Sequence, residues 1–264
     1  MATEFTGGGD PRRSIALLWG LAGAGRRGPK PRHSVEEVVE AAVALADAEG
    51  LGALSMRRVA GMLGLSTMSL YTYVPSKAEL VDLMLDRIAG ERQAPDDVVD
   101  GWRAKLEQIA RQGWSRAQRH PWMMQIGTHR PPLGPNVLAR VETTLGAIDG
   151  LGLSETEMDQ LTSLISGYVR GAVRAALDAR EIEQQSGMTD EQWWSMNTPL
   201  LEGLVDPALY PTTVRIGEAY KSGAMALPDH ERNFEFGLQR VLDGIAAFIA
   251  RRDSPAGAAP TEAG

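Results

Sequence analysis

Leu54-Ser55-Met56-Arg57-Arg58-Val59-Ala60-Gly61-Met62-Leu63-Gly64-Leu65-Ser66-Thr67-Met68-Ser69-Leu70-Tyr71-Thr72-Tyr73-Val74 reads as helix, three-residue turn, helix. Two helices crossing this closely need a small residue at the contact, a glycine to turn the chain and apolar residues to lock the angle. Ala60, Gly64 and the set Val59, Leu63, Leu65 and Leu70 fill those places. With the apolar positions spent on packing, Thr67, Met68, Ser69 and Thr72 are left to face a groove. Two short helices joined through glycine also occur in ordinary bundles, so spacing alone does not settle the motif.

On the N-terminal side, Ser34-Val35-Glu36-Glu37 supplies a capping box, in which the serine accepts from the third amide and Glu37 reaches back. Val35, Val38, Val39, Ala42, Val43 and Ala46 then recur at helical spacing until Gly50, which predicts a helix over about 35–49. A second helix is expected from Ser55 to Gly64 and a very short third after Ser66. On the C-terminal side, Ser76 with Glu79 opens another capped helix, through about Ala89. The tail of the motif, Leu70-Tyr71-x-Tyr73-Val74-x-x-Lys77-x-x-Leu80, runs straight into it.

These residues resemble the TetR family of bacterial regulators, and the likeness extends over about residues 35–90. The family pairs an upstream capped helix with a helix-turn-helix whose short recognition helix ends in Leu-Tyr-x-aromatic-Phe/Val, followed by a lysine. Leu70, Tyr71, Tyr73, Val74 and Lys77 occupy those positions. Val74 in place of the commoner Phe, with Thr72 before Tyr73, looks closer to the tetracycline-repressor branch than to the multidrug branch. By position, the resemblance implies that Tyr71 and Lys77 seat the protein on phosphates, contacts that orient without reading sequence. Ser55 caps the second helix and is placed to touch a phosphate too. Arg57 matches a position that projects toward a guanine edge, and Thr67, Met68, Ser69 and Thr72 would meet bases, Met68 through thymine methyls. Tyr73 joins the candidate DNA-binding set.

Overall charge is −7, yet it is unevenly spread: residues 11–92 carry eleven Lys and Arg against nine Asp and Glu, and residues 93–264 sixteen against twenty-three. The basic end is the motif's end. Arg26-Arg27-Gly28-Pro29-Lys30-Pro31-Arg32 forms an acid-free arm before the first capped helix. Arg27 and Lys30 suit a minor groove or a phosphate track, and a solubilising linker is an equal reading. Residues 1–11 are too polar and glycine-rich to order themselves, whereas Ile15, Leu17, Leu18 and Trp19 are expected to pack back as a short helix.

Beyond a break at residues 91–100, every segment reads as helix and no strand-like alternation appears, so the expected fold is all-α. We divide it into a flexible basic extension (1–33), a three-helix helix-turn-helix domain (34–90), a larger helical ligand-binding and dimerisation domain (91–252) and a disordered tail (253–264). Phe234, Leu238, Val241, Ile245 and Phe248 form a helical seam. Tyr168 lies on a second seam, with Gly171 leaving room for close approach. In the family such helices build a dimer interface, and a dimer is what grips two half-sites; packing within one protomer is the competing use. Trp114, Trp122, Met123, Gln125, His129, Tyr168 and Trp193 are the candidate lining of an adaptable apolar pocket, with ordinary core as the alternative.

No cysteine is present, which excludes disulfides, thiolate metal sites and cysteine nucleophiles. His33, His120, His129 and His230 show no ligand spacing, and no catalytic constellation, phosphate loop or dinucleotide fingerprint appears, so neither metal nor cofactor is implied. No apolar run approaches the roughly 18 residues of a membrane span, and a cytoplasmic location is expected. The expected function is a ligand-responsive regulator, a homodimeric repressor on palindromic operator DNA released by a small apolar or amphipathic effector. Two other readings remain: a helical-bundle enzyme or carrier with a structural N-terminal segment, and a ligandless DNA-binding dimer.

Overall fold

The computed structural model describes residues 4–21, 32–91, 101–127, 130–201, 203–226 and 229–253. Asp10 starts the first helix, α1 (Pro11–Leu18), by accepting from the amides of Arg12 and Arg13 at 2.9 and 3.2 Å, with Pro11 at the position where no amide is needed. Leu18 is buried and Leu17 packs against the core, as the apolar run predicts. Ahead of it the expectation of a free tail fails for residues 4–10. β1 (Glu4–Phe5) pairs in parallel with β2 (Ile126–Gly127), and Thr6 Oγ1 lies 3.1 Å from Gly127 O and 2.5 Å from Arg130 O. The amides of Gly7 and Asp10 donate to Asp82 and Glu79. Polar backbone is held here by buried carboxylates, a partner that periodicity cannot reveal.

α2 (Val35–Glu49) opens on the predicted reciprocal cap between Ser34 and Glu37. α3 (Met56–Met62), α4 (Thr67–Leu70) and α5 (Lys77–Ala89) follow, capped by Ser55, Ser66 and Ser76. Val38, Val39, Ala42, Ala46, Val59, Ala60, Leu70, Val74, Leu80, Met84 and Ile88 close a common core among them. At roughly 1.5–3 kcal/mol for each large apolar side chain removed from water, this burial outweighs helix propensity in fixing the geometry.

α6 (Trp102–Arg119) leads through a 3₁₀ turn at Pro121–Gln125 into β2, then α7 (Pro135–Ile148). The long α8 (Glu155–Ser186), then α9 (Asp190–Leu201), α10 (Pro211–Lys221) and α11 (His230–Asp253) complete the chain. Among the described residues, one compact unit runs to Ser166 and takes up α11 from Ile245, and the second comprises Gly167–Gly244. Packing therefore places α6 and α7 in the same unit as the helix-turn-helix, beyond the division expected near residue 91. The reason lies on α5. Asp86, buried, accepts from the amides of Asn136 and Val137 at 3.1 and 2.9 Å and from Asn136 Nδ2 at 2.9 Å, a carboxylate cap on α7 from a different helix. The β1–β2 pair is the one sheet among the described residues.

Candidate nucleic-acid interface

The turn between α3 and α4 is closed by two crossed backbone bonds, Leu65 N to Ala60 O at 2.8 Å and Gly64 N to Gly61 O at 3.2 Å. That pattern is a Schellman cap, and it requires the left-handed conformation Gly64 adopts at φ +65°. Val59, Ala60 and Leu70 are buried, and Leu63 and Leu65 pack against them. α4 is a single turn, nucleated by Ser66, whose hydroxyl accepts from the Ser69 amide at 3.1 Å. A helix this short has no stability of its own and takes its shape from the burial of Leu70.

The outward side of that turn carries the expected reading residues. Met68 is 76% exposed, Thr72 is exposed, and Thr67 and Ser69 are half-buried. Thr72 donates its hydroxyl to Ser69 O at 2.6 Å, leaving its methyl and oxygen lone pairs to a partner. Ser55 accepts from the Arg58 amide at 3.3 Å, and Tyr71 is exposed. The two arginines of α3 differ. Arg58 forks onto Glu49 at 2.7 and 2.5 Å, whereas Arg57 is exposed and has no ion pair among the described residues. Lys77 pairs with Glu4 at 2.8 Å. Tyr73 packs against the core, which ties its ring to the fold and away from the set that faces outward. Arg27, Lys30 and His129 lie outside the described residues.

The candidate pocket residues do not form one group. Trp122 is buried in the first unit's core and donates Nε1 to Asp47 Oδ1 at 2.6 Å, and Met123 packs against the same core. Both are therefore structural members of the first unit. Gln125 is exposed and Trp114 half-buried. In the second unit Tyr168 donates to Phe234 O at 2.6 Å and stacks on the Phe234 ring, while Trp193 meets Trp194 edge-on at 4.9 Å and both are about half exposed. The seam on α11 also needs correcting. Phe234, Leu238 and Ile245 are fully buried within a single protomer, so the helical spacing there marks internal core. Val241 and Phe248 are half-buried, Gly171 is exposed, and Leu164 and Phe236 stand out at the surface.

The burial of several charged groups escaped the sequence reading. Glu79, Asp82 and Asp86 on α5 are buried. Burial pushes the Asp82 carboxyl above the usual range and the Glu79 charge adds to this, against hydrogen bonds from Gly7 and Ser14. Glu91 sits between His120 and Arg119; burial raises it, but their hydrogen bonds and charges prevail and hold it below the usual carboxylate range. Arg116 is buried with no partner at Nε, and burial together with the Arg140 and Arg119 charges brings it down to about 10, against the pull of Glu91. For Glu79, Asp82, Asp86 and Arg116 only their spacing on helical faces between apolar residues hinted at burial, and Glu91, past the end of α5, carried no such hint.

A helix-turn-helix with its reading turn exposed on a buried scaffold defines a DNA-binding regulator. The chain belongs to the TetR family: residues 38–84 match the family described as "Bacterial regulatory proteins, tetR family", and residues 94–249 match "Tetracyclin repressor-like, C-terminal domain". It is 44% identical to the HTH-type transcriptional repressor DrrR1 of Streptomyces coeruleorubidus over 252 residues, 95% of this chain and 91% of the relative. Its fold is similar to apo ActR of Streptomyces coelicolor, with a TM-score of 0.68 at 25% identity, covering 85% of this chain and 100% of that one. ActR in complex with actinorhodin is similar at TM-score 0.67 and 26% identity, covering 83% and 99%. The chain is thus a transcriptional regulator, and the enzyme reading is set aside. Among the described residues no helix is long and apolar enough to cross a membrane.

Proposed function

We propose that this regulator is a homodimeric, cytoplasmic repressor that binds a palindromic operator through α3 and α4 and leaves it when a small amphipathic effector binds the helices beyond residue 91. The observation that carries the DNA side is the turn Thr67–Ser69 with Met68 exposed at its centre on a packed scaffold, flanked by the exposed Arg57 and Tyr71. Tyr71, Ser55 and Lys77 take phosphates, Arg57 a guanine edge, and Thr67, Met68, Ser69 and Thr72 the neighbouring bases. The 44% identical relative bears the name of a repressor, and ActR has been solved with actinorhodin, which supports repression and an effector.

Dimerisation is assigned to the outer faces of α8 and α11, where Leu164, Gly171, Phe236, Val241 and Phe248 are left uncovered or half covered. An effector that binds the DNA-incompetent arrangement better shifts the population by its differential affinity, typically about 1–3 kcal/mol. The test is binding of the purified protein to DNA flanking its own gene across a salt series. A specific, strongly salt-dependent complex is expected, and no specific shift at moderate salt overturns the reading.

A further inference from the structure

Arg116 lies on α6 at 6% exposure, and its Nε is sealed from solvent without a hydrogen-bond partner. Among the described residues its guanidinium makes no ion pair either. The charges around it are the wrong ones to settle it: Arg140 of α7 and Arg119 repel it, and the single attractive carboxylate, Glu91, is already engaged by His120 at 3.0 Å and Arg119 at 3.2 Å. The site lies where α6 packs against α7, and buried Thr144 on α7 turns its hydroxyl onto Arg140 O. Buried cations in folded proteins are paired, and an unpaired one is strongly destabilising. A structural arginine would fork onto a carboxylate or carbonyls; this one does neither. Such a group calls for a missing partner, and the planar guanidinium suits an oxyanion with two oxygens in one plane.

We infer that Arg116 is the anion-recognising residue of the effector site, and that the effector is amphipathic with a carboxylate-like or sulfonate-like group. This rests on the regulator reading above and specifies its ligand. A wholly apolar effector would desolvate the guanidinium further without neutralising it.

The test uses the full-length protein without DNA and two matched fluorescent probes, 1-anilinonaphthalene-8-sulfonate and the uncharged N-phenyl-1-naphthylamine, which differ by the sulfonate alone. Arg116→Met is expected to weaken the sulfonate about tenfold or more, equivalent to roughly 1.4 kcal/mol per decade, and to leave the neutral probe unchanged. Arg116→Lys should retain part of the sulfonate affinity. Because the cation is unpaired, the ligand-free Arg116→Met protein should also melt higher than wild type. Absence of sulfonate binding to wild type, equal loss for both probes, no loss for either, or a lower melting point for Arg116→Met overturns the proposal. Operator binding is measured separately: wild type that takes the sulfonate but no DNA defeats the regulator reading alone, and wild type that binds DNA but not the sulfonate defeats this inference alone.

Discussion

His120 Nδ1 lies 2.8 Å from Asp47 Oδ1, joining the end of α6 to α2 of the helix-turn-helix. The same carboxylate oxygen accepts from Trp122 Nε1, and the other ring nitrogen of His120 lies 3.0 Å from Glu91. One side chain of α2 therefore holds two buried rings that follow α6. Asp47→Ala leaves the buried indole N–H unsatisfied, which costs about 1–3 kcal/mol. Chemical denaturation should show a lower midpoint, and operator affinity should fall with it. Unchanged stability would show that the indole finds another acceptor.

Gly64 and Gly61 form a matched pair. An added Cβ meets nothing within 4 Å at either, so only backbone conformation separates them. Gly64→Ala forces a Cβ into the left-handed region at a cost of about 1–2 kcal/mol and should weaken operator binding by loosening the turn. Gly61→Ala lies within a helix and should be neutral or stabilising by roughly 0.4–1 kcal/mol. Thermal melts of the two variants check the contrast.

On DNA, Tyr71→Phe removes one phosphate hydrogen bond and should weaken binding by roughly 1 kcal/mol without altering the salt slope. Arg57→Ala should cost about 1–3 kcal/mol on the preferred site and relax discrimination at one base pair. Equal losses on specific and unrelated DNA would place Arg57 on the backbone.

Glu4 occupies the ammonium of Lys77, the lysine assigned to a phosphate. Glu4→Gln removes that competitor, so operator affinity should rise and the slope of log affinity against log salt should steepen by up to about one. Fluorescence anisotropy over a salt series measures both.

Asp82 sets a pH dependence. Its folded pKa is raised, chiefly by burial, so the folded state binds the proton more tightly than the unfolded one. Its contribution to stability therefore falls as pH rises from the unfolded value through the folded value. Asp82→Asn keeps an acceptor for Gly7 and should melt higher than wild type at neutral pH. The gain should shrink as pH drops below the folded pKa, where wild type is protonated too. A gain independent of pH would contradict this.

The helix-turn-helix was legible because its signals are local: serine caps at 34, 55, 66 and 76, a turn glycine at 64, and apolar spacing that the structure buries as expected. The remainder was less legible because its signals are not. The spacing of Phe234, Leu238 and Ile245 marks a buried face without saying whether its cover is the same chain or another. Trp122 reads from composition as a pocket aromatic, yet Asp47, 75 residues away, makes it core. The order of residues 4–10 depends on Asp82 and Glu79, whose charge in sequence points to solvent.

The turn at Thr67–Ser69 bears on how such regulators diversify. The side chains at 67, 68 and 69 contribute little to the core, which Leu70 and Val74 secure from the other side. Their identities can drift with small folding penalties, so a duplicated gene can acquire a new target sequence in few steps while its scaffold, its sensor and its partner surface stand unchanged.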